Sequence, residues 1–207
     1  MSSDTSLIRN WIKVGIISGL LVSVVYPSLI FIPMPQFLQV ILIMAWGPFL
    51  GLAAVGLYYF LQLHHKTVSL QIAVISQIIA GVLVTTMLLV QVSLNLSRPE
   101  VIEPASKWIW ISMHHIQLGI DVAWDVFIFL GSILFALNMY NHPKFGKLFS
   151  LSGILISLLL IGFNIATFPT PPAEAGLIDF GPLLGLWGLA VTINIVARYK
   201  WIDTQIS

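Results

Sequence analysis

The chain has no cysteine and few charged side chains. Without cysteine it can form no disulfide, no thiolate nucleophile and no cysteine-ligated zinc or iron–sulfur centre. Lys and Arg together number 9 and Asp and Glu 8 in 207 residues, which gives a formal net charge of +1. A nucleic-acid interface needs clustered basic side chains, so this composition argues against nucleic acid as a partner.

Several sequence signatures of known chemistry are also missing. The chain contains no HExxH, Walker A or GxSxG motif. Every lysine lies at the end of a predicted helix or in a loop, so none is placed to bind retinal inside a membrane. The histidines at 64–65, 114–115 and 142 do not bring two ligands to one depth on different helices, as haem requires. We therefore expect no cofactor and no bound metal.

Apolar residues dominate what is present. They make up 58% of the chain, charged residues make up 8%, and the mean hydropathy is +0.98. Soluble domains carry roughly a quarter charged residues, so lipid must solvate most of this chain. We predict a multi-pass protein of the cell membrane, folded as a single domain over residues 1–207, with the lipid bilayer as its main partner.

Uncharged stretches of about 20 residues mark the predicted membrane spans. The stretch from Val14 to Gln62 is too long for one span, and the proline-rich IPMPQ at 32–36 divides it. Charged or proline-rich segments separate the later stretches. The sequence thus predicts an all-α integral membrane bundle of six transmembrane helices, near residues 9–32, 36–62, 67–95, 107–140, 147–168 and 180–199.

Lysine and arginine are distributed unevenly between the two sides of this bundle. The side that holds both termini carries Arg9, Lys13, Lys66, Lys144, Lys147, Arg198 and Lys200. Only Arg98 and Lys107 fall on the other side. Because cytoplasmic loops are enriched in basic residues, we expect both termini in the cytoplasm.

A polar stripe follows one face of the fourth predicted helix. At about 100° per residue, the positions of the stripe fall within a sector of roughly 80°. They are Trp110, His114, Gln117, Asp121, Asp125 and Ser132. Ionisable groups inside a span cost several kcal/mol unless they face protein, water or a partner. We expect the stripe to face the bundle interior or a wet cavity, with His114 near the outer surface and both acids near the membrane centre.

Two interpretations of the acids stay open. As packing elements they would hydrogen bond to Asn164, Thr167, Thr192 or Gln91 on neighbouring helices. As functional groups they would exchange protons or bind a cation. Proton exchange is expected because burial favours the protonated form of an acid. Trp46 and Trp124 are expected to pack or to form apolar walls. The candidate ligand- or proton-binding residues are Asp121, Asp125, His114, Gln117, Trp124, Trp46 and Asn164.

Two predicted spans contain a proline away from their ends, at Pro27 and Pro48. Proline removes a backbone hydrogen bond from a helix. Many transporters build their binding sites from helices that are broken near the membrane centre. A simple proline kink is the other interpretation.

Three segments, LGIDVAWDVF at 118–127, HPKFGKLF at 142–149 and FPTPPAEAG with DFGPLLGLW within 168–187, resemble multi-pass prokaryotic membrane proteins. That group is defined only as a domain of unknown function. The resemblance covers roughly the C-terminal half of the chain. It implies a small helical membrane protein and brings no activity, substrate or catalytic residue with it.

The leading functional hypothesis is small-molecule or proton-linked binding or transport, through an outward-facing polar cavity lined by the fourth helix. The first alternative is an intramembrane enzyme acting on lipid, in which the same acids serve as general acid and base. The second is a non-catalytic scaffold whose stripe meets a partner helix. The sequence indicates no catalytic residue and no oligomeric state.

Overall fold

A computed structural model describes residues 2–97 and 107–206. Within these ranges the regular structure is entirely helical, with no strand, which confirms the predicted all-α class. The helices are α1 (Ser2–Phe31), α2 (Gln36–Gln62), α3 (Val68–Ser97), α4 (Lys107–Met139), α5 (Gly146–Thr167), α6 (Gly181–Ala197) and α7 (Tyr199–Ile206).

Five of these helices, α1 to α5, are long and apolar enough to cross a membrane. Helices α6 and α7 pass the same test only together, and they are bent by 59° at the break between them. The described chain therefore has five or six candidate spans. Helix α1 starts at Ser2 rather than near residue 9, because residues 2–8 contain no glycine or proline to stop it. Helix α7 was not predicted.

The long helices form a closed ring in sequence order. Each packs against the helix before and after it in the chain, and α6 packs against α1. Both termini lie at one end of the ring, where Arg9 of α1 pairs with Asp203 of α7 at 3.0 Å. This end is termed the terminal end. The other end, where α4 and α6 begin, is termed the opposite end.

Glycines permit close contact between neighbouring helices in the ring. The backbones of Gly15 in α1 and Gly56 in α2 approach so closely that a Cβ on either would overlap the other. Gly47 of α2 lies equally close to the backbone of Gly81 in α3. Small residues promote association in lipid in this way, because they let van der Waals contact extend over both backbones.

Helices α1 and α2 continue without interruption through Pro27 and Pro48. The interpretation of these prolines as helix breaks is therefore wrong. Membrane helices tolerate proline because neighbouring groups can bond the backbone atoms that proline leaves free.

The interior of the ring is packed with two apolar clusters. The larger includes Phe60 and Phe135 and extends to the terminal end. The smaller surrounds Trp46, with Val25 among its members. Trp124 of α4 packs against both clusters. The polar stripe of α4 therefore runs along a filled interior rather than along an open channel.

Candidate functional site

The two acids of α4 are placed where a charge is hard to accommodate. Asp125 is only 2% exposed, and Asp121 is half-buried one turn away. Within the described residues neither carboxyl takes part in a hydrogen bond. A buried polar group without a partner costs about 1–3 kcal/mol, and more when it is charged. These carboxyls thus lack the stabilising contacts that buried acids normally have.

A third acid, from a distant part of the chain, influences these two. Asp179, which is exposed in the loop before α6, interacts electrostatically with both Asp121 and Asp125. Tyr26 of α1 interacts electrostatically with Asp121 and Asp179. These four residues, Tyr26, Asp121, Asp125 and Asp179, are termed the carboxyl cluster. The cluster therefore combines residues of α1, α4 and the loop before α6, rather than of α4 alone.

The sequence pattern did not identify Asp179 or Tyr26 as members of the site. One role of Asp179 is structural. Its Oδ1 accepts a hydrogen bond from the backbone N–H of Gly181 at 2.8 Å, two residues on, in the turn that leads into α6. An Asp followed two residues later by Gly-Pro is the sequence signal for such a turn. No sequence signal placed it beside α4.

Asp121 lines a small crevice at the opposite end of the ring. Leu118 and Val122 of α4, Asn164 of α5 and residues 168–171 complete its wall. The crevice has a volume of about 10 Å³, which is room for one water molecule at most. The crevice is thus too small for an organic ligand, and the outward-facing cavity stays a prediction.

Both candidate tryptophans lie beside the carboxyl cluster. The buried Trp46 stacks on Tyr26 with ring centroids 4.9 Å apart, and its Nε1 donates to the carbonyl of Val22 at 3.2 Å. The ring of Trp124 lies 6.5 Å from that of Trp46. The buried Nε1 of Trp124 has no acceptor in the part of the chain that the structure describes. The Nε1–H of Trp124 is thus a donor without an acceptor beside the carboxyl cluster.

The three remaining candidate residues, His114, Gln117 and Asn164, lie in different surroundings. His114 stacks on Trp110 with centroids 5.2 Å apart and does not line the crevice. Gln117 is 6% exposed, and its side chain has no hydrogen bond to any described residue. Asn164 lines the crevice with Asp121, but its Nδ2 donates to the carbonyl of Leu160 in its own helix at 3.0 Å.

The expected packing partners of the acids bond elsewhere. Three of them donate to carbonyls four residues earlier in their own helices: Asn164, Thr167 and Thr192. The fourth, Gln91, is exposed. Farther along the stripe, Ser132 accepts a hydrogen bond from Gln77 Nε2 of α3 at 3.0 Å. The expected hydrogen bonds from the acids to neighbouring helices are thus not found among the described residues.

Within the described residues, no group of three His, Asp or Glu side chains is arranged to hold a metal ion.

Comparison with known proteins adds no family or activity. No family model matches the chain, and no curated protein or solved structure is significantly similar to it. The resemblance in the C-terminal half therefore rests on the three quoted segments alone.

Proposed function

We propose that the carboxyl cluster is the proton-binding site of a protein for proton-linked binding or transport of a small solute. The observation that carries this proposal is the burial of Asp125 without a hydrogen bond in the described chain. An ionised carboxylate in that position would cost several kcal/mol, so Asp125 is stable there as the neutral acid. A bound proton removes the charge that the fold does not compensate.

Asp121 is proposed to connect Asp125 with water at the opposite end. It lies on the crevice wall, one helical turn from Asp125, and side chains four positions apart on a helix are neighbours. A single water in the crevice would complete a short relay between solvent and the buried acid. Chains of acidic side chains within membrane spans serve as proton relays in pumps and transporters.

The chemistry of the cluster suits a cationic ligand. Its members and the crevice residues include three carboxyls and no basic side chain among the residues described. The adjoining rings of Tyr26, Trp46 and Trp124 could add cation–π attraction. The crevice must widen before anything larger than water can enter, and residues 168–171 form the part of its wall outside the helices.

The proposal includes an orientation in the cell membrane, with six spans and both termini in the cytoplasm. Its support is the excess of Lys and Arg in the segments at the terminal end. Cysteines introduced singly into this cysteine-free chain can test it with a membrane-impermeant thiol reagent. A cysteine at the exposed Glu174 should react from the outside. Reaction from the cytoplasmic side alone would contradict the orientation.

The functional experiment compares two Asp→Asn variants in proteoliposomes under an imposed pH gradient. Asp125→Asn mimics the protonated acid and should abolish proton-linked activity while the protein still folds. Asp121→Asn should mainly weaken binding of a cationic or hydrogen-bonding ligand. Asp203→Asn is the matched control, because this exposed acid lies at the terminal end.

Each alternative function gives a different result in the same vesicles. If both variants kept pH-dependent transport or ligand binding, the proposed role of the cluster would be refuted. Lipid turnover without any gradient would indicate the intramembrane enzyme instead. A co-purifying protein, with neither transport nor turnover, would indicate the scaffold.

A further inference from the structure

A second cavity, of about 140 Å³, lies at the terminal end of the ring. It is formed by the end of α2, the start of α3 and the end of α4, and is termed the terminal cavity. Three leucines form its apolar side. Its polar side consists of His64, His65, Thr67, Asn138 and Asn141. The volume is large enough for several water molecules or for one phosphate-sized group.

Two of the polar residues form a rigid part of the wall. Thr67 Oγ1 donates to Asn138 Oδ1 at 2.8 Å and accepts the backbone N–H of Leu70 at 3.2 Å. Asn138 Nδ2 donates to Ser69 Oγ at 2.9 Å and to the carbonyl of Leu134 at 2.7 Å. These bonds fasten the start of α3 to the end of α4, so the cavity has a fixed wall.

The other three polar residues, His64, His65 and Asn141, are exposed, so their donors face solvent rather than protein. The side chains of His64, His65 and Asn141 form no hydrogen bond with the described residues. The two histidine rings lie 4.7 Å apart, and each ring carries at least one N–H group. Asn141 adds two amide N–H groups. A ligand with several acceptor atoms could therefore be bound from two sides.

The segments that border the terminal cavity carry only positive charge. Residues 60–70 and 137–147 contain three lysines, Lys66, Lys144 and Lys147, and no acid. None of the three lines the cavity, and the Nζ atoms of Lys144 and Lys147 lie over the rings of Trp201 and Tyr140. Asp203, an acid at this end, is already paired with Arg9. N–H donors near positive charge bind phosphate oxygens strongly, because such hydrogen bonds are charge-assisted.

We propose that the terminal cavity binds a phosphate group, held by His64, His65 and Asn141. An anionic phospholipid headgroup is the expected source. Leu137 lines the cavity and is also exposed on the outer surface of the apolar bundle, so the cavity adjoins the surface that lipid covers. This site is independent of the carboxyl cluster, which lies toward the opposite end.

The test measures binding of phosphatidylglycerol to the full-length protein in phosphatidylcholine nanodiscs. Wild-type protein should bind it, and the double variant His64→Ala/His65→Ala should bind at least about tenfold more weakly. Asn141→Leu should weaken binding in the same direction. The control variant His115→Ala/Lys200→Ala removes an exposed histidine and an exposed lysine outside the cavity, and should bind as wild type does.

A parallel titration with inorganic phosphate and glycerol 3-phosphate distinguishes the two sources. Weaker binding of both than of phosphatidylglycerol, with the same dependence on His64 and His65, would support the lipid. Binding of the soluble phosphates but not of phosphatidylglycerol would overturn the lipid source. Equal binding by the cavity and control variants would show only diffuse attraction and would overturn the site.

Discussion

The two halves of α4 differ in the hydrogen bonding of their buried polar side chains. In the terminal half, residues 128–139, Ser132 and Asn138 are hydrogen-bonded to α3. In the opposite half, residues 110–125, Gln117, Asp121 and Asp125 have no hydrogen bond within the described chain. One half of the helix is therefore fastened to its neighbour by polar contacts, whereas in the other half these three side chains have no such bond among the described residues.

Burial alone does not separate the two halves, since Ser132 and Asp125 are almost equally buried. The difference lies in the partner. Hydrogen bonds between membrane helices add about 1 kcal/mol each, which explains the terminal half as adhesion. Unpaired polar groups destabilise a fold by about 1–3 kcal/mol. The opposite half therefore has a cost that adhesion does not explain and that a bound proton or ligand would offset.

The largest expected difference is between two glycines of α4. A Cβ at Gly131 would lie 2.6 Å from Gln77 Cγ and 3.0 Å from the carbonyl oxygen of Ala73, whereas one at Gly119 would have nothing within 4 Å. Gly131→Ala should lower the free energy of unfolding in detergent by about 1–3 kcal/mol through overpacking. Gly119→Ala should have no effect or stabilise slightly. Equal losses would contradict the close packing of Gly131 against α3.

A smaller difference should separate two buried glutamines. Gln77 and Gln117 are 5% and 6% exposed, but only Gln77 bonds α4, to Ser132 Oγ and to the carbonyl of Ile128. Gln77→Leu should therefore destabilise the protein by about 1 kcal/mol. Gln117→Leu should be neutral or stabilising, because it removes an unpaired buried amide. Thermal unfolding of both variants checks this. A larger loss for Gln117→Leu would reverse the comparison.

His142, in the loop after α4, gives the smallest effect at neutral pH, because its contribution to stability changes only as the pH falls. Its Nδ1 accepts the backbone N–H of Lys144 at 3.2 Å, and the side chain is 2% exposed. Burial, together with the charges of His64 and Lys144, lowers the pKa of His142 from 6.5 to about 4. The unfolded chain then takes up a proton that the folded chain does not, so stability falls as pH drops from about 6.5 to 4.

The variant His142→Asn tests that pH dependence, because asparagine can still accept the Lys144 N–H and does not titrate. The melting temperature of wild-type protein should fall between pH 7 and pH 4 more steeply than that of the variant. Parallel curves for the two proteins would contradict the assignment to His142.

The sequence was sufficient to predict the helical class and the inward face of α4. Lipid imposes long apolar runs, and the 3.6-residue period decides which side chains share a face. Asp125 is accordingly buried, while the next residue, Val126, is exposed. Such regularities are local, so they can be read from neighbouring residues.

The partners of the stripe could not be predicted, because they depend on contacts between distant segments. Asp179 and Tyr26 reach the α4 acids only because α6 packs against α1 and closes the ring, and hydropathy does not specify that order. Helix α7 was missed because its sequence is too polar for a span. The buried Ile202 within that polar segment is nevertheless typical of a short surface helix.

The most direct test of the account is the protonation state of Asp125 in the membrane. Infrared spectra of the protein in lipid at neutral pH should contain the carbonyl stretch of a buried, protonated carboxyl. We expect that band to disappear in Asp125→Asn and to persist in Asp203→Asn, whose exposed acid is paired with Arg9 in the parent protein. If Asp125 is ionised at neutral pH, so that its Asn variant loses only a carboxylate band, its assignment as the buried proton-binding acid is wrong.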